Sequence, residues 1–397
     1  MSRGFDLQTA VVDMEALLED YLLDLKTLVS IDSGTHDKAG VDLVGAWLQA
    51  QYEAMDGHIQ IHRQGAVGDN IVVGFEGAGA GKVLLLGHMD TVYAAGTVAE
   101  RPFALDGARA IGPGTCDMKA GVLSILYALR LLRRQACDSF ASISILYNSD
   151  EEAGSRFSRE LVRTEAEQAD VVLVLEAGRE NGDIVSARKG VATGELRVMG
   201  TAAHAGVNHK NGRSAIHELA HLIVALEHLN GTIPGVTLNV GKVEGGGPVN
   251  VVPDQAQARF ELRAHSLDLL RETIGRVEDA VSHRSVDGTD LALDITIDHH
   301  PMHKSESTAD LVRLYQSLAA DIGQEVKDTA TGGASDGNTA ASAGRPVLDG
   351  LGPIGGGAHS TDEYVRVDSI APRAALLAAL IAATGSHVAQ PTLPTVQ

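Results

Sequence analysis

The sequence predicts an α/β protein carrying a smaller inserted α+β unit, and three observations support that reading. Short, almost purely apolar runs at Val83–Leu86, Ile143–Tyr147 and Val171–Leu175 read as strands buried on both faces, as in a parallel sheet. Met118, Val122, Ile125, Leu126, Leu129 and Leu132 share one face of a helix that falls between the first two runs. From about Ser186 the texture changes to strands that alternate apolar and polar residues, which suits a sheet with one covered face. A chain of 397 residues is also too long for one core, so two domains are expected.

In chain order, Met14, Leu17, Leu18, Tyr21, Leu22, Leu25 and Leu28 predict a helix over 13–29, and Val44, Trp47, Leu48 and Tyr52 a second over 41–55. Strands near 59–63 and 70–75 and a glycine-rich turn at 77–81 lead into the first apolar run. Beyond Ser186, alternating strands are expected at 194–199, 237–243, 255–263 and 291–297, with helices at 213–229 and 267–281. Two helices on an antiparallel sheet make a small α+β unit. It is expected to span 187–301, inserted between 1–186 and 302–397 of the main domain. That domain resumes with a helix at 308–322, a turn at 331–338, a short strand at 346–348, a turn at 355–360 and a closing helix at 369–384. The tail, 388–397, contains two prolines and is expected to be loose.

Thirty-two basic against 52 acidic residues give a net charge of −20, which argues against nucleic acid or an anionic membrane as partner. The N-terminus lacks the apolar core of a signal peptide, and no stretch reads as long enough to span a bilayer. Two cysteines, Cys116 and Cys137, imply no disulfide framework, so a cytoplasmic protein is expected.

The chemistry gathers where the apolar runs end. His88 and Asp90 follow the first run, at the strand end where open α/β sheets bind ligands. A carboxylate behind an imidazole fixes the ring for metal binding, although a lone pair of this kind also reads as a polar strand cap. Asp117 closes the turn Gly112-Pro113-Gly114 and could equally be a helix N-cap. Asp150, Glu151 and Glu152 crowd three carboxylates after the second run, where a cation would relieve their repulsion; otherwise they form a solvated acidic loop. Glu176 ends the third run. Each signal is weak alone, and together they converge on one sheet edge.

These stretches, Gly87-His88-Met89-Asp90-Thr91-Val92-Tyr93, Asp117-Met118-Lys119, Asp150-Glu151-Glu152-Ala153-Gly154-Ser155, His204-Ala205-Gly206, Asn250-Val251-Val252-Pro253 and Gly357-Ala358-His359-Ser360, resemble a known family in order and spacing. It is the co-catalytic dizinc peptidase and deacylase family of glutamate carboxypeptidase, acetylornithine deacetylase, succinyl-diaminopimelate desuccinylase and aminoacylase, and the wording is most similar to the carboxypeptidase G subgroup. The resemblance implies a mixed-sheet α/β/α zinc-peptidase domain with an inserted α+β lid and dimerisation domain. It implies two divalent ions per subunit, Zn²⁺ foremost with Co²⁺ or Mn²⁺ compatible. One would be held by His88, Asp117 and Glu176, the other by Asp117, Glu152 and His359, so that Asp117 bridges. Glu151 would be the general base and Asp90 the partner of His88, while His204 and Asn250 would reach the site of a second subunit in a homodimer.

Arg263 and the loop at Gly333 and Ser335 are the candidates for gripping a substrate carboxylate; the alternative for Arg263 is an ordinary strand salt bridge. The expected substrate is a small peptide or N-acyl amino acid, and the expected reaction is release of a C-terminal amino acid. An N-acyl amino acid deacylase is the alternative, and an inactive scaffold on the same fold a third reading. His300 stands before Pro301 where glutamate carboxypeptidases of the family usually carry arginine, which weakens the case for a C-terminal glutamate. Glu176, where aminopeptidases of the family tend to have aspartate, leans away from aminopeptidase action. The remaining histidines, His217 and His221 among them, read as surface or structural residues.

Overall fold

Six strands form the larger sheet of the computed structural model, which describes residues 4–386. Their order is His58–His62, Asn70–Glu76, Ser142–Asn148, Lys82–His88, Val171–Val174, Val347–Leu348. The first two junctions are antiparallel and the other three parallel, so the sheet is mixed. Strand alternation sends Val83, Leu85, Ile143, Ile145, Tyr147 and Leu173 into the main core, which includes residues of the helices Lys38–Glu53, Ala120–Arg134 and Ile370–Ser386. The helices Arg159–Gln168 and Asp336–Ser342 also pack on the sheet, and they pack on each other. In register, His88 lies beside Asn148, so the acidic loop after Asn148 starts next to the histidine.

Several local expectations change. The first predicted helix breaks at Leu17 into Leu7–Ala16 and Leu18–Val29. Arg159–Gln168 escapes periodicity because it buries only Val162 and Ala166. Asp336–Ser342, inside and beyond the predicted 331–338 turn, is a short helix of small and polar residues, stabilised at its start by a capping box between Ser335 and Asn338. Asp117 is not the cap of the helix Ala120–Arg134, whose N-cap position is Lys119, and the bond from Asp117 to Met118 is cis.

The closing helix also corrects the expectation about membranes, because Val367–Ser386 is long and apolar enough to cross a bilayer. Most of that stretch, 72%, is buried inside the protein, as expected of a core helix that is apolar all round. Arg373 sits buried within it and donates to the Tyr315 hydroxyl and to the carbonyls of Gly182 and Gly350. The tail lies outside the described residues. Cys116 and Cys137 are free and buried.

The chain divides into two compact units, one running through Ala187 and resuming over Lys304–Ala330 and from Ser335, the other Arg188–His303 with Thr331–Ala334. The second unit is a four-stranded antiparallel sheet in the order Thr237–Gly245, Gln255–Ala264, Gly190–Met199, Asp290–His299. The helices Ala215–Glu227 and Leu267–Ser282 cover it, burying Leu219, Leu222, Leu226, Leu270 and Val277 against Leu196, Val198, Phe260 and Leu262. Residues 331–334 join this unit because Lys189 N–H donates to Thr331 O at 3.1 Å, Arg263 Nη1 to Gly332 O at 2.7 Å and Arg188 Nη1 to Gly333 O at 3.0 Å.

Candidate metal centre

Seven of the predicted residues meet at the carboxyl edge of the larger sheet. His88 ends its strand 1% exposed, with Nδ1 3.0 Å from the carbonyl of Asp90 and 3.4 Å from its Oδ1. Nε2 therefore points the other way, 3.0 Å from Asp117 Oδ1 and 3.7 Å from Glu176 Oε1. The second oxygen of Asp117 faces a different group: Oδ2 lies 3.3 Å from His359 Nε2, which is 3.0 Å from Glu152 Oε2. One carboxylate is thus shared by two sets of donors, each with one imidazole and one further acid. Nitrogen or oxygen atoms of His88, Asp117 and Glu152 all lie within 4.8 Å of one another.

Asp90 does more than back His88. Its carboxylate, fully buried, accepts the Thr35 hydroxyl at 2.6 Å and the backbone N–H groups of Glu151 and Glu152 at 3.2 Å each. The residue that orients the histidine therefore also sets the acidic loop. His359 adopts a left-handed backbone, φ 62°, uncommon outside glycine and found at constrained functional loops.

The titration behaviour follows from this crowding. Burial pushes the His88 imidazole down, but hydrogen bonds to Asp117 and Asp90 and the charges of Glu176 and Glu151 outweigh it and hold it well above its usual range. Hydrogen bonds to Asp117 and Glu152 raise His359 to about 10. Burial raises Asp117, yet the two imidazoles prevail and hold it below the ordinary carboxylate range. Glu151 moves the other way: burial first, then Glu176, Asp336 and Glu152, push it well above, against the pull of His88.

Two acids that sequence reasoning missed support this edge. Glu363, 2% exposed, accepts the backbone N–H groups of Gly114, Cys116 and Asp117 at 3.0, 2.8 and 3.0 Å and the Tyr93 hydroxyl at 2.7 Å. It holds the turn that presents Asp117. Its one sequence signal is its place four residues after His359. Asp336 accepts the Ser155 hydroxyl at 2.6 Å and the Asn148 amide at 2.7 Å, behind the acidic loop.

Burial pushes the Asp336 carboxyl up to about 6, with Ser155 and His88 opposing and Asp150 and Asp90 adding. Since the folded value lies above the ordinary 3.8, its contribution to stability is full below that pH and lost as pH rises through about 6. Asp336→Asn, whose carbonyl oxygen can accept from Asn148 while its amide N–H donates to the Ser155 hydroxyl oxygen, should remove roughly 2–3 kcal/mol of that decline between about pH 4 and 7. Urea unfolding at several pH values measures it, and an unchanged slope would refute the assignment.

The other predicted residues are placed differently. His204 and Asn250 are exposed and close together in the second unit, where Ala203–His204 pairs with Val251–Val252 and Ala205 N–H donates to Asn250 O at 2.9 Å. Arg263 forms a two-pronged ion pair with Glu261, Nε at 2.6 Å and Nη2 at 3.0 Å, besides its bond to Gly332. The strand salt bridge is therefore what the structure contains. Gly333 uses its carbonyl on Arg188. Ser335, 2% exposed, donates its hydroxyl to Asp349 Oδ2 at 2.7 Å and accepts the Gly337 N–H at 3.0 Å.

Imidazoles and carboxylates converging at the edge of an α/β sheet make a group able to hold a metal ion. The chain belongs to peptidase family M20/M25/M40, whose model matches residues 84–383. Carboxypeptidase G2 of Pseudomonas sp. (strain RS-16) is 30% identical over 370 residues, 91% of this chain and 88% of that one. A succinyl-diaminopimelate desuccinylase of Xanthomonas campestris pv. campestris (strain 8004) is 30% identical over 342 residues, 80% and 87% of the two chains. Among solved structures, a Staphylococcus aureus tripeptidase superposes with a TM-score of 0.79 at 22% identity, covering 93% of this chain and 99% of that one. A metallo-carboxypeptidase of the same family from Sulfolobus solfataricus gives 0.73 at 17% identity, with 92% and 99% covered. These likenesses establish the fold.

Proposed function

We propose that the protein releases a C-terminal amino acid from a small peptide or N-acyl conjugate, using two divalent ions, Zn²⁺ foremost. The observation that carries this is the division of Asp117, one oxygen toward His88 and Glu176, the other toward His359 and Glu152. The donor set fits such ions: one imidazole and a further carboxylate on each side suit zinc, and Glu152 Oε1 is buried with no hydrogen-bond partner among the described residues. When bound, the ions supply Lewis acidity to an amide carbonyl and to water. Glu151 takes the proton of the attacking water on its carboxylate and returns it to the leaving nitrogen, a task suited to a carboxyl held above its ordinary range. Asp90 keeps Nε2 of His88 aimed at the centre, and Glu363 keeps Asp117 there.

Glu363→Ala should weaken metal binding by about 10–100-fold, the usual effect of removing an outer-shell partner, while its ligands remain. Competition with a chromophoric chelator reads this, and unchanged affinity would count against the positioning role.

Deacylation of N-acyl amino acids is the second reading, favoured by His300 before Pro301. Hydrolysis of folyl-glutamate, dipeptides and N-acetyl amino acids by zinc-loaded protein separates the two. Faster turnover of folyl-glutamate supports the carboxypeptidase; N-acetyl amino acids ahead of it would favour the deacylase. Loss of activity in chelator and its return with zinc is expected in either case.

The active form in this proposal is a cytoplasmic homodimer in which His204 stabilises the oxyanion in a neighbouring subunit, an effect typically of about 10²–10³ in turnover. Thr237–Gly245 and Asp290–His299 are the edge strands of the second unit's sheet, and such edges can pair across a two-fold axis. Mixing Glu151→Ala with His204→Ala protein should restore activity after subunit exchange, because one site of the heterodimer then has both groups. No recovery in proven heterodimers would place His204 outside a shared site.

A further inference from the structure

In the second unit, the helix Ala215–Glu227 buries Ala215, Glu218, Leu219, Leu222 and Leu226 and leaves His217 and His221 exposed. Residues four apart stand one above the other on a helix. Their Nε2 atoms are 3.1 Å apart and their ring centroids 4.8 Å. At that distance the Nε2–H of one ring can donate to the Nε2 of the other, and a metal ion in place of that proton would accept a lone pair from each. With metal–nitrogen bonds of about 2.0–2.1 Å, a separation of 3.1 Å corresponds to an angle at the metal of roughly 95–100°. That lies between octahedral and tetrahedral coordination and needs no movement of the helix.

The frame is fixed on both sides. Ser214 caps the helix by accepting the N–H of His217 at 3.2 Å, and the buried Glu218 is held from the opposite face by the N–H groups of Ser285 and Val286. Among the described residues, no group of three or more His, Cys, Asp or Glu donors includes this pair. Water or an outside ligand must complete the shell, which makes the pair a bidentate site for ions that favour imidazole. We propose that His217 and His221 chelate a divalent transition ion, Ni²⁺, Cu²⁺ or Zn²⁺, with donors entirely distinct from those of the sheet-edge centre.

The test uses untagged, full-length protein loaded with two equivalents of Zn²⁺ and desalted to remove free ion, then titrated with Ni²⁺ in a calorimeter and run on Ni²⁺-charged resin. His217→Ala and His221→Ala should each weaken the added Ni²⁺ binding by roughly 10²-fold, the lower end of what joining two binding groups gives. The double variant should be little worse than either single one, since a chelate is lost with its first member. His228→Ala, at the C-cap of the same helix and outside the pair, is the control and should bind as wild type. Circular dichroism and hydrolase activity verify folding in every variant. Small, additive losses from the two single variants, or wild-type binding in the double variant, would overturn the proposal.

Discussion

Replacing Glu151 with alanine is expected to lower turnover by about 10²–10⁴-fold, the range for a positioned proton carrier, and to leave metal content at the wild-type level. Glu152→Ala is expected to cost one metal equivalent instead. The two side chains are adjacent in sequence and differ in surroundings. Glu152 is 3.0 Å from His359, among the donors. Burial and the neighbouring acids raise the Glu151 carboxyl against the pull of His88. Metal analysis alongside kinetics distinguishes them, and exchanged phenotypes would reverse the assignment. Both backbone N–H groups are anchored on Asp90, so either substitution leaves the loop's main support in place.

The larger effect on metal is expected at Asp117. Asp117→Ala should reduce metal content from two equivalents per chain toward none after dialysis, because the same carboxylate faces both donor sets. Glu176→Ala and His359→Ala should each retain one, since each belongs to one set only. The loss at Asp117 should exceed the roughly 10–100-fold typical of an outer-shell change, as a direct donor goes and two imidazoles lose their shared acid. Elemental analysis after dialysis decides it. One full equivalent retained by Asp117→Ala would mean the ions, if two bind, do not share it.

Much of the edge is legible from local sequence patterns. A run such as Val83–Leu86 declares a buried strand through its composition, and strand ends in an α/β sheet are where side chains such as His88, Asp150–Glu152 and Glu176 must emerge. The second unit is equally readable, because alternation and helical spacing are periodic signals contained within each element. Short or polar elements carry no such signal, which is why Arg159–Gln168 and Asp336–Ser342 do not read as helices from their residues.

What the sequence by itself determined is the α/β class, the alternating second sheet and the histidine and acids at the strand ends, through local patterns, while His359 entered only through the family resemblance. Only the tertiary structure decided how they are divided and held. The facing of Asp117 toward two imidazoles joins residues 29 and 242 positions apart, and the grip of Glu363 on the Asp117 turn spans 246. The same holds for Asp336 behind Ser155, for the structural use of Ser335 and for the ties of Arg188 and Arg263 that draw 331–334 into the second unit. Such hydrogen bonds follow from chain topology, which places distant backbone groups face to face, and a carboxylate that will accept three buried N–H groups looks in sequence like any other.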